Sequence, residues 1–124
     1  MLKEFLDENI EEIKKESVTV AQMSAAWCAP CKSLRVVMEQ LSEEYKDKAT
    51  FYYGDVEEGA INAASQAGIR GVPSTLIMKK GVEVDRLVGN PGEAEVRKFL
   101  EKNLYPIKIQ LCLKHGTVHH GRIS

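Results

Sequence analysis

The uncharged run Val18-Thr19-Val20-Ala21-Gln22-Met23 leads into Trp27-Cys28-Ala29-Pro30-Cys31-Lys32, and that motif leads into apolar residues at helical spacing. This junction constrains the fold more than any other stretch. The first run reads as a buried strand. Leu34, Val37, Met38, Leu41 and Tyr45 read as the inner face of a helix over 28–46. A chain that passes directly from strand to helix points to a layered α/β architecture. Two cysteines fall where one element gives way to the other.

The pattern continues on both sides. Leu2, Phe5, Leu6, Ile10 and Ile13 predict a helix over 2–15. Residues 49–56 are rich in strand formers and predict a second strand. Ile61, Ala64, Ala67 and Ile69 suggest a short helix ending near Gly68, with Asp55, Glu57 and Glu58 after the second strand expected to cap its start. Residues 74–78 and 82–88 read as two strands joined by the turn Lys79-Lys80-Gly81, a hairpin. Pro91 can open a last helix to about Leu104, with Val96, Phe99 and Leu100 inward. A right-handed crossover makes the first two strands parallel, so the sheet is mixed.

With 124 residues the chain is expected to hold one domain, residues 1–104, followed by an extension over 105–124. Seventeen basic and 18 acidic residues leave a net charge of −1, which gives no footprint for nucleic acid and no polybasic membrane patch. No apolar run approaches the roughly 18–20 residues needed to cross a bilayer. The charged start, Met1 to Glu8, holds no signal-peptide core, so a cytoplasmic protein is expected. Three cysteines leave one over and cannot form a disulfide framework. In a reducing compartment, a close pair is redox-active or metal-binding more often than structural.

The placement of that pair separates its two thiols. Cys28 stands at a helix N-terminus, where unpaired N–H groups and the positive dipole end favour a thiolate. Pro30 fits the first turn, which has no use for its missing N–H. Cys31 lies inside the helix and should be the more buried thiol, with the Cys28 sulfur meeting solvent. Cys28 is therefore expected to attack and Cys31 to resolve. Trp27 offers a flat apolar surface beside the attacking thiol, and Lys32 a nearby cation. A zinc site remains the rival reading, since a CxxC pair can be half of one. Cys112 and His115, with His119 and His120, supply further ligand types, but the tail has no evident way back to the pair. No metal is expected.

Over residues 2–104 the chain resembles the thioredoxin family. The resemblance rests on Trp27-Cys28-Ala29-Pro30-Cys31-Lys32, Gly68-Ile69-Arg70-Gly71-Val72-Pro73-Ser74, Lys80-Gly81 and Val88-Gly89, in that order. It implies a protein disulfide reductase with Cys28 as nucleophile and Cys31 as resolving thiol. It implies no bound cofactor, only a redox-active disulfide Cys28–Cys31. Pro73 matches the family's cis-proline, which would expose the Val72 backbone to an extended substrate strand. A shallow substrate groove would then gather Trp27, Ala29, Pro30, Gly71, Val72, Pro73, Gly89 and Asn90. The implied partners are disulfide-bearing client proteins and a flavin-dependent reductase as electron donor, in cellular electron transport and redox homeostasis. A monomer or weak dimer is expected. A binding adaptor for a larger enzyme, with secondary redox activity, is the alternative.

Departures from the family pattern carry their own expectations. Ala29 stands where the family usually has glycine, with a modest effect on potential. Gln22 occupies the place of a buried aspartate that helps move the proton of the resolving thiol. The lysine that pairs with that acid corresponds to about Phe51. An amide hydrogen-bonds but is no base at pH 7, so resolution is expected to be slower or to use water. Ser24 replaces an aromatic residue, and Val36 a kinking proline. The family's first strand is missing from this reading, which leaves a thioredoxin-like fold with a mixed four-stranded sheet of order 2-1-3-4, counting the strands as given above. The strand at 49–56 would then be an open edge. Ile107, Ile109, Leu111 and Leu113 alternate with polar residues and Cys112, so residues 107–113 could add to that edge, alone or between two molecules. Otherwise the tail is an extension with no structure of its own.

Overall fold

The computed structural model describes residues 2–105. In chain order the elements are β1 (Lys3–Glu4), a 3-10 turn (Asp7–Asn9), α1 (Ile10–Ile13), β2 (Thr19–Ser24), α2 (Ala29–Glu44), β3 (Thr50–Asp55), α3 (Ile61–Ala67), β4 (Ser74–Lys79), β5 (Val82–Val88) and α4 (Glu93–Leu104). They form one five-stranded sheet of order β1-β3-β2-β4-β5. β1 and β2 run parallel to β3, while β4 is antiparallel to both β2 and β5.

Alternation along the central strands divides the core into two layers. Val20, Phe51 and Ile77 face one side, where they pack with Leu34, Met38 and Leu41 of α2 and Val96, Phe99 and Leu100 of α4. Ala21, Met23, Tyr52, Leu76 and Met78 face the other, against Phe5, Ile13, Ala60 and Ala64. Side chains that alternate across a pleat bury both faces only when helices cover both. On the second side the approach is close. A Cβ on Gly54 would lie 3.1 Å from Phe5 Cβ, 3.2 Å from Met23 Sδ and 3.3 Å from Ala60 Cβ. Glu16 ties the turn after α1 to the sheet by accepting from Tyr52 Oη at 2.9 Å and Thr50 Oγ1 at 3.2 Å. Burial, and then that bond, push the Tyr52 phenol up to about 12.

The four strands read from the sequence keep the expected order, but the missing first strand is a correction. Lys3–Glu4 pairs with Tyr52 and Tyr53, so β1 covers part of the edge that was expected to be open. The helix expected over 2–15 is correspondingly reduced to the 3-10 turn and α1. At Tyr52 and Tyr53 β1 thus takes the place expected for a strand from the tail, and residues 107–113 lie outside the described residues.

The other elements fall within two or three residues of expectation. α2 is a single helix of 16 residues. α3 ends on Gly68 at φ +68°, a conformation that costs glycine little. α4 starts at Glu93, two residues beyond Pro91. The N-terminus of α3 is secured unexpectedly. Asp55, Glu57 and Glu58 were expected to cap it, but Ala60 is the N-cap and supplies no side-chain bond. Asp7 does so from across the fold: its carboxylate accepts from Asn62 N at 3.0 Å and Ala63 N at 2.8 Å. Asp7→Ala is expected to cost about 1 kcal/mol, the usual worth of such a cap. A urea midpoint checks it; an unchanged midpoint would show that water replaces the carboxylate.

Candidate functional site

β2 carries the chain to the site. All six of its residues are buried, and it is flanked on both edges by other strands. Its end is followed by Ala25, Ala26 and Trp27, and α2 begins with Ala29 and Pro30. Cys28 is the N-cap of that helix, with extended φ −91° and ψ 108°. Its Sγ accepts from the Cys31 backbone N–H at 3.2 Å. A free N–H at a helix start thus points at the first sulfur, the arrangement that stabilises a thiolate. Cys28 and Cys31 are joined as a disulfide, with Cα atoms 5.2 Å apart.

Access to the sulfurs differs from expectation. Cys31 is fully enclosed, but Cys28 is only 3% exposed. Ala25, Val56 and Val72 pack around the pair. The first sulfur of the pair was expected to meet solvent more openly; these three apolar neighbours close over it. Ala29 and Pro30 are exposed beside it, and Trp27 is 68% exposed. The indole N–H of Trp27 donates to Glu57 Oε1 at 3.0 Å, so the turn after β3 holds the ring. Glu57 was not singled out from the sequence, where it read only as a capping acid.

A second segment completes the rim. The Val72–Pro73 bond is cis. Val72 touches the cysteine cluster, and Ser74 Oγ donates to Gly71 O at 2.6 Å, which closes the loop on itself. Gly89 N donates to Pro73 O at 2.7 Å, bringing the end of β5 beside Pro73. Gly71, Val72, Pro73 and Gly89 are therefore neighbours in space. Asn90 is exposed, and its side chain turns back to accept from Gly92 N at 3.2 Å.

Beneath the disulfide the site is polar but carries no charge. Gln22 is 1% exposed and Ser24 is fully buried. Gln22 Nε2 donates to Ser24 Oγ and to the Cys31 carbonyl, both at 2.9 Å. A carbonyl can only accept, so the amide must turn its nitrogen to Cys31. Gln22 Oε1 and Thr75 Oγ1 are both buried and have no hydrogen-bond partner among the described residues. Thr75 escaped the sequence reading; its alternation with Ile77 was the signal that it points inward.

Lys32 is exposed, and one turn further along α2 Arg35 stacks over the Tyr53 ring at 4.3 Å. With Ala26 and Asp55 these line a cleft beside the disulfide. Among the described residues no group of three or more His, Cys, Asp or Glu is placed to hold a metal. No helix of the described residues is long and apolar enough to cross a membrane. Cys112, His115, His119 and His120 lie outside the described residues.

The arrangement suits one chemistry: a sulfur at a helix start exchanges its bond with an enclosed neighbour for a bond with an incoming sulfur. Known proteins agree. The family model described as Thioredoxin matches residues 2–102. Thioredoxin 2 of Chlorobaculum tepidum is 36% identical over 103 residues, covering 82% of this chain and 94% of its own. Thioredoxin of Staphylococcus saprophyticus is 31% identical over 98 residues, covering 79% and 93%. Among solved structures, a point mutant of thioredoxin from Halobacterium salinarum superposes with a TM-score of 0.74 at 28% identity, covering 86% of this chain and 92% of that one.

Proposed function

Because the chain belongs to the thioredoxin family and is a thiol–disulfide oxidoreductase, we propose that it reduces protein disulfides in the cytoplasm, with Cys28 as attacking and Cys31 as resolving thiol. The observation that carries this reading is the hydrogen bond from the Cys31 N–H to Cys28 Sγ at the start of α2. It favours ionisation of the first sulfur and offers nothing comparable to the second. The Cys28 thiolate attacks a client disulfide and forms a mixed disulfide; Cys31 then displaces the client thiol, and the protein leaves oxidised. The client strand lies in the groove of Trp27, Ala29, Pro30, Gly71, Val72, Pro73 and Gly89, against the Val72 backbone. A flavin-dependent reductase returns the pair to the dithiol, and residues 1–104 are the functional domain. The protein acts as a monomer or weak dimer and needs no bound cofactor beyond its disulfide.

Insulin reduction by dithiothreitol tests the reading. Catalytic acceleration at substoichiometric protein is expected. A rate no faster than dithiothreitol alone would favour the adaptor alternative, in which the same groove only holds a partner.

A further inference from the structure

Cys31 has no exposed surface. Once reduced, its thiol must still lose a proton to resolve a mixed disulfide, and that proton cannot pass straight to bulk water. A buried carboxylate, imidazole or amine would take it, but none is present: the buried polar residues among those described are Thr19, Gln22, Ser24, Ser42, Ser74 and Thr75. The charged groups on the surrounding elements sit outside this layer. They are Lys32, Arg35, Glu39, Glu43 and Glu44 on α2, Asp55 at the end of β3, Glu57 and Arg70 in loops, Lys79 at the end of β4, and Glu83, Asp85 and Arg86 on β5. Arg86 is engaged with Glu83, and Asp85 with Asn103.

Two complementary atoms are left over on adjacent strands. Gln22 and Thr75 are directly paired across β2 and β4. Directly opposed residues hold their Cβ atoms about 4.5–5.5 Å apart on one face. That face is the one α2 covers, because Val20 and Ile77, two positions along each strand, pack against Leu34. Gln22 also touches the Cys31 carbonyl, so the pair lies under the first turn of α2. Gln22 Oε1 accepts only, and Thr75 Oγ1 both donates and accepts, yet neither has a partner. Leaving two such groups buried and unpaired is costly, whereas one water can satisfy both.

We propose that Gln22 Oε1 and Thr75 Oγ1 together bind one buried water beneath Cys31, and that this water carries the Cys31 proton during resolution. Thr75 is a positioning residue. In the step, the Cys31 sulfur bonds to the Cys28 sulfur as the bond between Cys28 and the client sulfur breaks. The electron pair of that bond leaves on the client sulfur. The Cys31 proton passes to the water, which releases one of its own to the departing thiolate. The inference rests on the reductase reading and adds to it a proton path without a carboxylate.

Stopped-flow reaction of the reduced protein with a chromogenic aromatic disulfide separates attack from resolution, and Thr75→Val keeps the side-chain shape without the hydroxyl. Resolution is expected to slow on the order of tenfold, with attack unchanged within about twofold and the resolving pH profile moved upward, short of a full general base because the hydroxyl only places the carrier. Thr75→Ser should restore the rate. Resolution at wild-type speed in Thr75→Val would overturn the water path and leave the reductase reading intact; a wild type that never forms the mixed disulfide would end both. A crystal structure of the wild type provides a check independent of any variant's folding. Water within reach of both oxygens is expected, and a direct bond from Thr75 to Gln22 would overturn the proposal.

Discussion

Serine at position 31 is expected to abolish turnover while sparing the first chemical step. Cys28 keeps its place as N-cap, and the N–H that supports its thiolate belongs to the backbone, which the substitution leaves alone. Attack therefore proceeds, but no second sulfur stands 5.2 Å away, Cα to Cα, to expel the client. The mixed disulfide should accumulate as a covalent adduct, and insulin reduction should fall to the uncatalysed background. Cys28→Ser should reach the same background with no adduct. Cys112 is the third cysteine of the chain, so both variants belong in a Cys112→Ser background. Mass spectrometry under non-reducing conditions reads the result. Turnover by the Cys31→Ser protein at the parent rate would remove Cys31 from the mechanism.

Leu34→Ala should have the largest effect on stability. Leu34 is fully buried in the layer where α2 and α4 meet the sheet, among Val20, Met38, Ile77 and Leu100. Truncating such a side chain removes apolar burial and leaves a cavity, together worth about 2–5 kcal/mol. Val36, on the outer face of the same helix and 63% exposed, provides the control. Val36→Ala should stay within about 0.5 kcal/mol. Guanidinium unfolding of the oxidised protein measures both. A cost for Leu34→Ala no greater than that for Val36→Ala would mean the layer closes up freely around the gap.

The sequence made the central frame readable because burial there is periodic. Val20 and Phe51 alternate with Ala21 and Tyr52, and a strand packed on both faces must be apolar at both phases. α2 was legible for the same reason at a different period. β1 was not. Lys3 and Glu4 are both exposed, so two residues of edge strand leave no apolar pattern, and the flanking Leu2, Phe5 and Leu6 mimic helical spacing. Within the site, Cys28, Cys31 and the Pro73 segment came from motifs. The enclosure of Cys28 did not, because Val56 and Val72 reach it from distant parts of the chain. The role of Asp7 was hidden likewise: no local rule pairs a carboxylate with amides 55 and 56 positions later.

That last contact orders events during synthesis. Asp7 leaves the ribosome long before Asn62 and Ala63 exist, and Lys3 before Tyr52. The β3 partners of the amino-terminal segment come only with residues 50–55, and its α3 partners later still. In the interval its apolar residues, Phe5 among them, are available to chaperones and proteases. Docking of this segment is completed only after β3 has been made, and a nascent chain halted before Thr50 leaves the edge pairing unformed.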